Sequence, residues 1–243
     1  MLRCPMRDVI GMTDEVKRAL VVAAHADDPE FGCGGTVALW SRSGWEFYYL
    51  ILTDGSKGSD DPEMIPERLV TVRQQEQRAA ASILGVKEVF FLDYEDGELT
   101  YTRDLLRDVV RYIRRLKPHA VFTSDPTTIF HSNSFINHKD HRCAGLVAVD
   151  AVYPVARDRL NMPELLDEGL EPHKVMELYL AQSNEPNLDV DITEVGDLKI
   201  TALLEHKSQF AHRGEEMLQR WRGRWQDPDG RFREHFRHIA LPF

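Results

Sequence analysis

Short runs of β-forming residues alternate with longer helical patterns from Lys17 onward, and this alternation constrains the fold more than any other feature. It is typical of parallel strands that are joined by crossover helices. The first run, residues 19–24, is too apolar for a half-exposed strand and predicts a central strand that is buried on both faces. We therefore predict an α/β fold, a Rossmann-like three-layer sandwich around a mostly parallel central sheet, in a single domain over residues 1–243.

Apolar periodicity and glycine or proline stops place the individual elements. Strands are predicted at 19–24, 46–52, 89–92, 120–123, 177–180 and 190–192. Helices are predicted at about 29–43, 66–84, 104–117, from about 138, and at about 194–210. Residues 214–243 are expected to form a helical extension with Met217, Leu218, Trp221 and Trp225 on one face. That face would dock on the body of the chain or on another subunit, and the alternative is a lid over the substrate.

The charge balance limits the partners of this chain. Lys and Arg number 30 and Asp and Glu number 40, which gives a net charge of −10, and an acidic surface repels nucleic acid and anionic membranes. No segment approaches the roughly 20 apolar residues of a membrane span, and the first twenty residues lack the apolar stretch of a signal peptide. We expect a cytoplasmic protein that binds no nucleic acid.

Cysteine usage argues against two kinds of site. Cys4, Cys33 and Cys143 are odd in number, widely spaced and never in a Cys-x-x-Cys pair. Neither a disulfide framework nor a thiolate zinc site is predicted from them. Any metal must therefore be held by histidine and carboxylate.

Polar side chains follow the first predicted strand directly, at the edge where open α/β sheets bind their ligands. His25 and Asp28 lie on one turn, so an imidazole and a carboxylate can both point at one cation. Asp27 and Asp28 repel each other, and a metal is the usual counter-charge for such a cluster. The structural alternative has Asp28 as the N-cap of the next helix and His25 as a turn residue.

A second cluster, His138-Lys-Asp-His141, stands at the start of the helix that follows the fourth strand. The spacing places both rings on one side, and Asp140 between them can orient an imidazole. Three ligands of the His/Asp/His type leave one position for water, as in catalytic rather than structural zinc sites. Asp96, by contrast, has a simpler explanation as a turn former before Gly97.

Residues 24–35 (AHADDPEFGCGG) and 137–141 (NHKDH) resemble the motifs of the PIG-L/LmbE family of zinc-dependent deacetylases. Weaker matches are TDG at 53–55, Arg73-x-x-Glu76 with LGV at 84–86, and Tyr94-x-Asp96-Gly97, so the resemblance covers roughly residues 18–210. It implies hydrolysis of the N-acetyl group of an N-acetylglucosamine conjugate. The serious alternatives are an amidase that acts on a thiol-sugar conjugate or natural product, and a metal-containing binding protein without turnover.

The resemblance also implies roles for particular residues. One zinc ion per chain would be held by His25, Asp28 and His141. Asp27 would be the general base, and a protonated His138 would stabilise the oxyanion and assist departure of the amine. An intact base and acid disfavour a pure binding protein, since binding alone requires neither.

The remaining site residues are less specific. Asp96 would support His138, and Asp140 completes the expected catalytic set. Arg73 matches a position that faces the sugar pocket in the family, although a solvated helix charge is an alternative. Ala26 and Lys139 stand where the family has proline, which affects loop geometry rather than the ligands. Family members often form homo-oligomers, so we expect one here, with the Trp221/Trp225 face as a candidate contact.

Overall fold

The computed structural model describes residues 16–131, 133, 135–211 and 214–242. Its strands are β1 (Arg18–Ala23), β2 (Glu46–Thr53), β3 (Glu88–Tyr94), β4 (Ala120–Ser124), β5 (Phe130–His131), β6 (Phe135–Ile136), β7 (Glu177–Ala181), β8 (Leu188–Asp191) and β9 (Arg233–Ala240). Its helices are α1 (Asp28–Arg42), α2 (Pro66–Leu84), α3 (Arg103–Leu116), α4 (Lys139–Asp150), α5 (Glu164–Asp167), α6 (Gly196–Leu204), α7 (Lys207–Phe210) and α8 (Gly214–Trp225). Most predicted elements agree with these bounds to within two residues.

Within the described residues, seven strands form one sheet in the order β3-β2-β1-β4-β7-β9-β8. The pairs β1–β2, β1–β4, β2–β3 and β4–β7 are parallel, and β9 runs antiparallel to both of its neighbours. The chain order reverses between β1 and β4, which is where open α/β sheets bind ligands beyond the carboxyl ends of their strands. The mostly parallel Rossmann-like sheet is thus confirmed.

Helices cover both faces of the sheet and create two cores. Strand β1 contributes alternate residues to each: Val21 packs with α1, α2 and α6, whereas Leu20 and Val22 pack with α3 and α4. Both sets of side chains are almost fully buried. The three-layer sandwich follows from this alternation, since each face of a central strand needs its own apolar cover.

The C-terminal segment differs from the predicted helical extension. Helix α8 ends at Trp225, and residues 233–240 form β9, which lies between β7 and β8. Glu234 and Phe236 both point inward and are buried, so this strand has the two-residue period of a sheet. The alternation escapes notice in the sequence because one of the two inward positions carries a charge.

The two tryptophans of α8 lie against the body of the same chain. Trp221 and Trp225 are 7% and 6% exposed, and their ring centroids lie 5.3 and 6.0 Å from that of Phe31 in α1. The amphipathic helix therefore docks intramolecularly. These rings are not available as the subunit contact that the sequence suggested.

The predicted helix at about 194–210 is interrupted. A short 3-10 turn at Thr193–Val195 precedes α6, and α7 begins only after His206, whose ψ of 60° breaks the helix. The His206 ring is fully buried and lies 3.2 Å from a carboxylate oxygen of Glu30. The helix breaks where this long-range polar contact forms.

Two remaining points concern the whole described chain. Among the described helices, none has both the length and the apolar character that a membrane crossing requires. Cys33 and Cys143 are free thiols, and Cys4 lies outside the described residues.

Candidate active site

The three predicted ligands converge at the reversal point of the sheet. His141 Nε2 lies 3.0 Å from Asp28 Oδ1 and 3.2 Å from His25 Nδ1. His25 Nδ1 lies 3.4 Å from Asp28 Oδ2. The nearest donor atoms of each pair of side chains thus lie 3.0–3.4 Å apart, and the two imidazoles face different oxygens of the Asp28 carboxylate.

The carboxyl-terminal end of β1 and the start of α4 bring these donors together. His25 comes two residues after β1, and Asp28 is the first residue of α1, with one carboxylate oxygen accepting from the His25 N–H at 2.8 Å. The N-cap position belongs to Asp27, whose side chain makes no capping bond, so capping does not explain Asp28. Helix α4 closes on β4 at Gly145, where a β-carbon would lie 2.2 Å from the Ser124 carbonyl oxygen.

The outer nitrogen of His25 faces two further carboxylates. His25 Nε2 lies 3.0 Å from Asp96 Oδ1 and 3.4 Å from Asp140 Oδ2. The structure thus places Asp96 on His25 rather than on His138, where it was expected, because the turn after β3 reaches the end of β1. Asp140 also faces His25, and its Oδ2 accepts from the Gly97 N–H at 2.7 Å. A carboxylate on the outer nitrogen fixes the orientation of a metal-binding imidazole.

His141 has a corresponding partner that the sequence reasoning did not assign. Its Nδ1 lies 3.1 Å from Oδ1 of Asn137, which stands four residues earlier, just before α4. Asn137 is itself buried and donates to the Thr128 carbonyl oxygen at 2.8 Å. An amide oxygen can only accept, so His141 Nδ1 carries the proton and Nε2 is free to bind a cation. The i, i+4 spacing of these two residues was the available signal.

His138 lies beside these three residues as the N-cap of α4. Its Nδ1 accepts from the Asp140 backbone N–H at 3.1 Å, so in the neutral ring the proton is on Nε2. Its ring centroid is 4.9 Å from that of His25 and 5.4 Å from that of His141. Burial, together with the charges of His25 and His141, lowers the pKa of His138, which favours a neutral ring that still donates through Nε2.

The cluster contains more carboxylates than positively charged side chains. Burial alone would lower the pKa of His25, but Asp140, Asp28 and Asp96 around the ring raise it well above its ordinary value. The pKa of Asp96 falls to about 2, because contact with His25 outweighs the effect of burial. Without a metal, a protonated His25 therefore balances the surrounding carboxylates, and a bound cation can take over that role.

Asp27 has a different environment. Burial raises the pKa of its carboxyl group, and the guanidinium of Arg73 partly offsets that effect. A raised pKa suits a carboxylate that takes up a proton. Asp27 also has a left-handed backbone conformation, with φ of 88° and ψ of −29°, which residues other than glycine rarely adopt.

Arg73 lies underneath the site. It is 5% exposed and donates to the carbonyl oxygens of Ala26 at 2.8 Å and Gly55 at 3.3 Å. Its nitrogens lie 3.8 Å from Asp27 Oδ1 and from Asp96 Oδ2. The guanidinium is thus held within the protein rather than on the solvated face of a helix, and a substrate contact by Arg73 stays a prediction.

The spacing of these donor atoms fits a zinc ion. Tetrahedral zinc with bonds of about 2.0–2.1 Å holds its ligands about 3.3 Å apart, which agrees with the three separations above. His25, His138 and His141 form a second set whose donor atoms lie within 4.8 Å of one another, as do those of His25, Asp96 and Asp140. We favour Asp28 over His138 as the third ligand because its oxygens lie within 3.4 Å of both imidazole donors.

A family model and several known proteins match this chain. The model of GlcNAc-PI de-N-acetylase, PIG-L, matches residues 20–152. The diacetylchitobiose deacetylase of Thermococcus kodakarensis is 36% identical over 208 residues, which cover 86% of this chain and 74% of the relative. The 4-oxalmesaconate hydratase of Pseudomonas putida is 29% identical over 200 residues, which cover 79% of this chain and 74% of the relative.

A solved structure agrees with the fold closely. The N,N'-diacetylchitobiose deacetylase of Pyrococcus horikoshii, in complex with its inhibitor MPG, superposes with a TM-score of 0.85 at 32% identity. The superposition covers 93% of this chain and 85% of that one. It extends the likeness well beyond the residues that the family model matches.

Proposed function

This chain belongs to the PIG-L family and is an amide-hydrolysing N-deacetylase, and we propose that it removes the acetyl group of an N-acetylglucosamine conjugate with the help of one zinc ion. The likeness to two diacetylchitobiose deacetylases supports an amino-sugar substrate. Assembly into a homo-oligomer and a cytoplasmic location stay predictions from the sequence.

His25, Asp28 and His141 are the residues that would hold the zinc ion. A bound zinc ion lowers the pKa of its water toward 7 and polarises a substrate carbonyl. Asn137 keeps His141 in the tautomer that binding needs, and the Asp96 carboxylate, 3.0 Å from His25 Nε2, favours a proton on that outer nitrogen. Three protein ligands leave room for water or substrate, as a catalytic site requires.

Asp27 is the proposed general base. Its carboxylate is adjacent in sequence to a ligand, and burial raises its pKa, so that it can take a proton from the attacking water. The same proton is then available to the departing amine nitrogen. Hydrolysis of the amide needs this transfer, because an amide nitrogen leaves readily only when it is protonated.

His138 is proposed to stabilise the oxygen of the tetrahedral species. Because Nδ1 accepts from the Asp140 backbone, Nε2 carries the hydrogen that can be donated to the developing oxyanion. This role needs a donor and not a positive charge, which is compatible with the lowered pKa of the ring. It differs from the protonated imidazole that the sequence resemblance implied.

The observation that carries the proposal is the convergence of His25, Asp28 and His141, whose nearest donor atoms lie 3.0–3.4 Å apart in each pair. The test is amine release from N-acetylglucosamine, N,N'-diacetylchitobiose and simple acetamides by zinc-loaded protein. Asp27→Asn is the matched variant, since it keeps the size of the side chain and the metal ligands. We expect turnover by the wild type and a loss of about a hundredfold or more in the variant, with zinc content unchanged.

Two outcomes would redirect the proposal. Equal turnover by the Asp27→Asn protein would remove Asp27 as the base. Silence on every amide, with zinc confirmed, would favour the binding protein or a different reaction; 4-oxalmesaconate is therefore included in the panel, because a relative is named as its hydratase.

A further inference from the structure

The left-handed backbone of Asp27 needs an explanation, because a β-carbon is strained there. The conformation depends on the orientation of the peptide group that joins Ala26 to Asp27. Both polar atoms of this peptide are held by α2. Arg73 Nη2 donates to the Ala26 carbonyl oxygen at 2.8 Å, and the Asp27 N–H donates to Gln77 Oε1 at 2.9 Å.

Arg73 and Gln77 are four residues apart on α2, so their side chains leave the same face of the helix one turn apart. Both are buried. A rotation of the Ala26–Asp27 peptide would therefore break two hydrogen bonds at once and leave their partners without water to replace them. The pair acts on one peptide group from a single rigid element.

The amide of Gln77 is itself fixed in one orientation. Its Nε2 donates to both carboxylate oxygens of Glu30, at 2.9 and 3.1 Å, and His206 Nε2 lies 3.2 Å from Glu30 Oε2. All three side chains are fully buried. A flipped amide would turn its nitrogen toward the Asp27 N–H and its oxygen toward Glu30, so both contacts would become repulsive.

We propose that Gln77 is a positioning residue that, together with Arg73, clamps the Ala26–Asp27 peptide and aims the Asp27 carboxylate into the site. Glu30 and His206 hold the clamp in its working orientation. The inference rests on the proposed role of Asp27 as the base. It assigns a function to a buried network that includes none of the three proposed metal ligands.

The test uses three variants. Gln77→Met keeps the length of the side chain and removes its hydrogen bonds. Gln75→Met is the control, because it makes the same exchange at an exposed position of α2. The double variant Glu30→Gln with Gln77→Glu exchanges the amide and the carboxylate. The carboxylate at position 77 can accept from the Asp27 N–H and from the amide at position 30, and the total charge is unchanged.

We expect Gln77→Met to lower kcat about ten- to a hundredfold with KM within about twofold, since a small misplacement of a catalytic group has effects of this size. Zinc content should equal that of the wild type. A crystal structure of the Gln77→Met protein should show the Asp27 carboxylate displaced. The double variant should recover most of kcat, which a loss of packing alone would not allow.

The other outcomes decide against the clamp. It is overturned if kcat of Gln77→Met equals that of Gln75→Met, if kcat falls only in proportion to zinc, or if Asp27 is unmoved in the crystal. If Gln77→Met does not fold, the double variant decides: a folded protein with low kcat overturns the proposal. A wild type without deacetylase activity refutes the proposed function instead, and the crystallographic comparison still tests the clamp.

Discussion

The strained backbone at Asp27 reverses the usual order of stability between alanine and glycine. At an ordinary position, alanine is the more stable of the two by about 0.4–1 kcal/mol, because glycine has more conformational freedom to lose on folding. At φ of 88°, a β-carbon costs about 1–2 kcal/mol. The difference leaves the Asp27→Gly protein more stable than the Asp27→Ala protein by about 1 kcal/mol.

Both substitutions remove the carboxylate, so the loss of charge cancels in the comparison. For a chain of this size, 1 kcal/mol corresponds to about 2–4 °C in Tm. The assay is urea and thermal denaturation in the presence of a chelator, which removes the contribution of any bound metal. Gly44→Ala provides the reference, because Gly44 has φ of 93° and nothing lies within 4 Å of an added β-carbon.

We expect Gly44→Ala to destabilise the protein by about 1 kcal/mol, which equals the stability difference expected between alanine and glycine at position 27. The reasoning is refuted if Gly44→Ala behaves in this way while Asp27→Ala is as stable as Asp27→Gly. The backbone of Asp27 would then not be left-handed in solution, and the need for a clamp on its peptide would disappear.

Two further predictions concern buried charge. Lys199→Met should lower the free energy of unfolding by about 3–5 kcal/mol, because it leaves the buried Glu234 carboxylate, 2.6 Å from Lys199 Nζ, without its counter-ion. Urea denaturation measures this loss, and the control Lys207→Met, at an exposed ion pair, should cost less than about 1 kcal/mol. Equal losses in the two variants would contradict the prediction. In metal-free protein the pKa of His25 is held well above 6.5, so the ring is protonated at neutral pH and stays so until the pH exceeds that raised value. Zinc requires the neutral ring, so binding should release about one proton from it and weaken as the pH falls; calorimetry in buffers of different ionisation enthalpy measures the release, and none at pH 7 would contradict the assignment.

The sheet and the position of the candidate site could be predicted from the sequence because local patterns encode them. The apolar run 19–24 indicates a strand buried on both faces, and the polar turns that follow the strands must meet at one edge of a parallel sheet. These patterns predict that His25 and Asp28 lie near the His138/His141 pair. The resemblance to the family added the choice of His25, Asp28 and His141 as ligands and the expected roles of Asp27 and His138.

The features that escaped prediction depend on contacts between distant residues. The inward position of Glu234 in β9 is stabilised by Lys199 and by the backbone N–H groups of Gly35 and Thr36, none of which is near it in sequence. The break at His206 likewise depends on Glu30. Periodicity records which side chains are apolar, and a charged residue buried by a remote partner violates it.

The supporting contacts around the ligands are unpredictable for a related reason. Asp96 reaches His25 rather than His138, and Gln77 reaches the Asp27 N–H, because of how turns and one peptide group are oriented. Such orientations leave no pattern in the residue types. Only the i, i+4 spacing of Arg73 and Gln77 hints that they act on a common target.

The most direct test of the zinc site is a titration of the metal-stripped protein with zinc, with amine release from N,N'-diacetylchitobiose as the readout. The account predicts no activity before zinc is added and a linear rise that levels off at one zinc per chain. The His141→Ala protein should show no such rise at stoichiometric zinc. Full activity in the stripped protein, or an unchanged titration in the His141→Ala protein, would contradict the account.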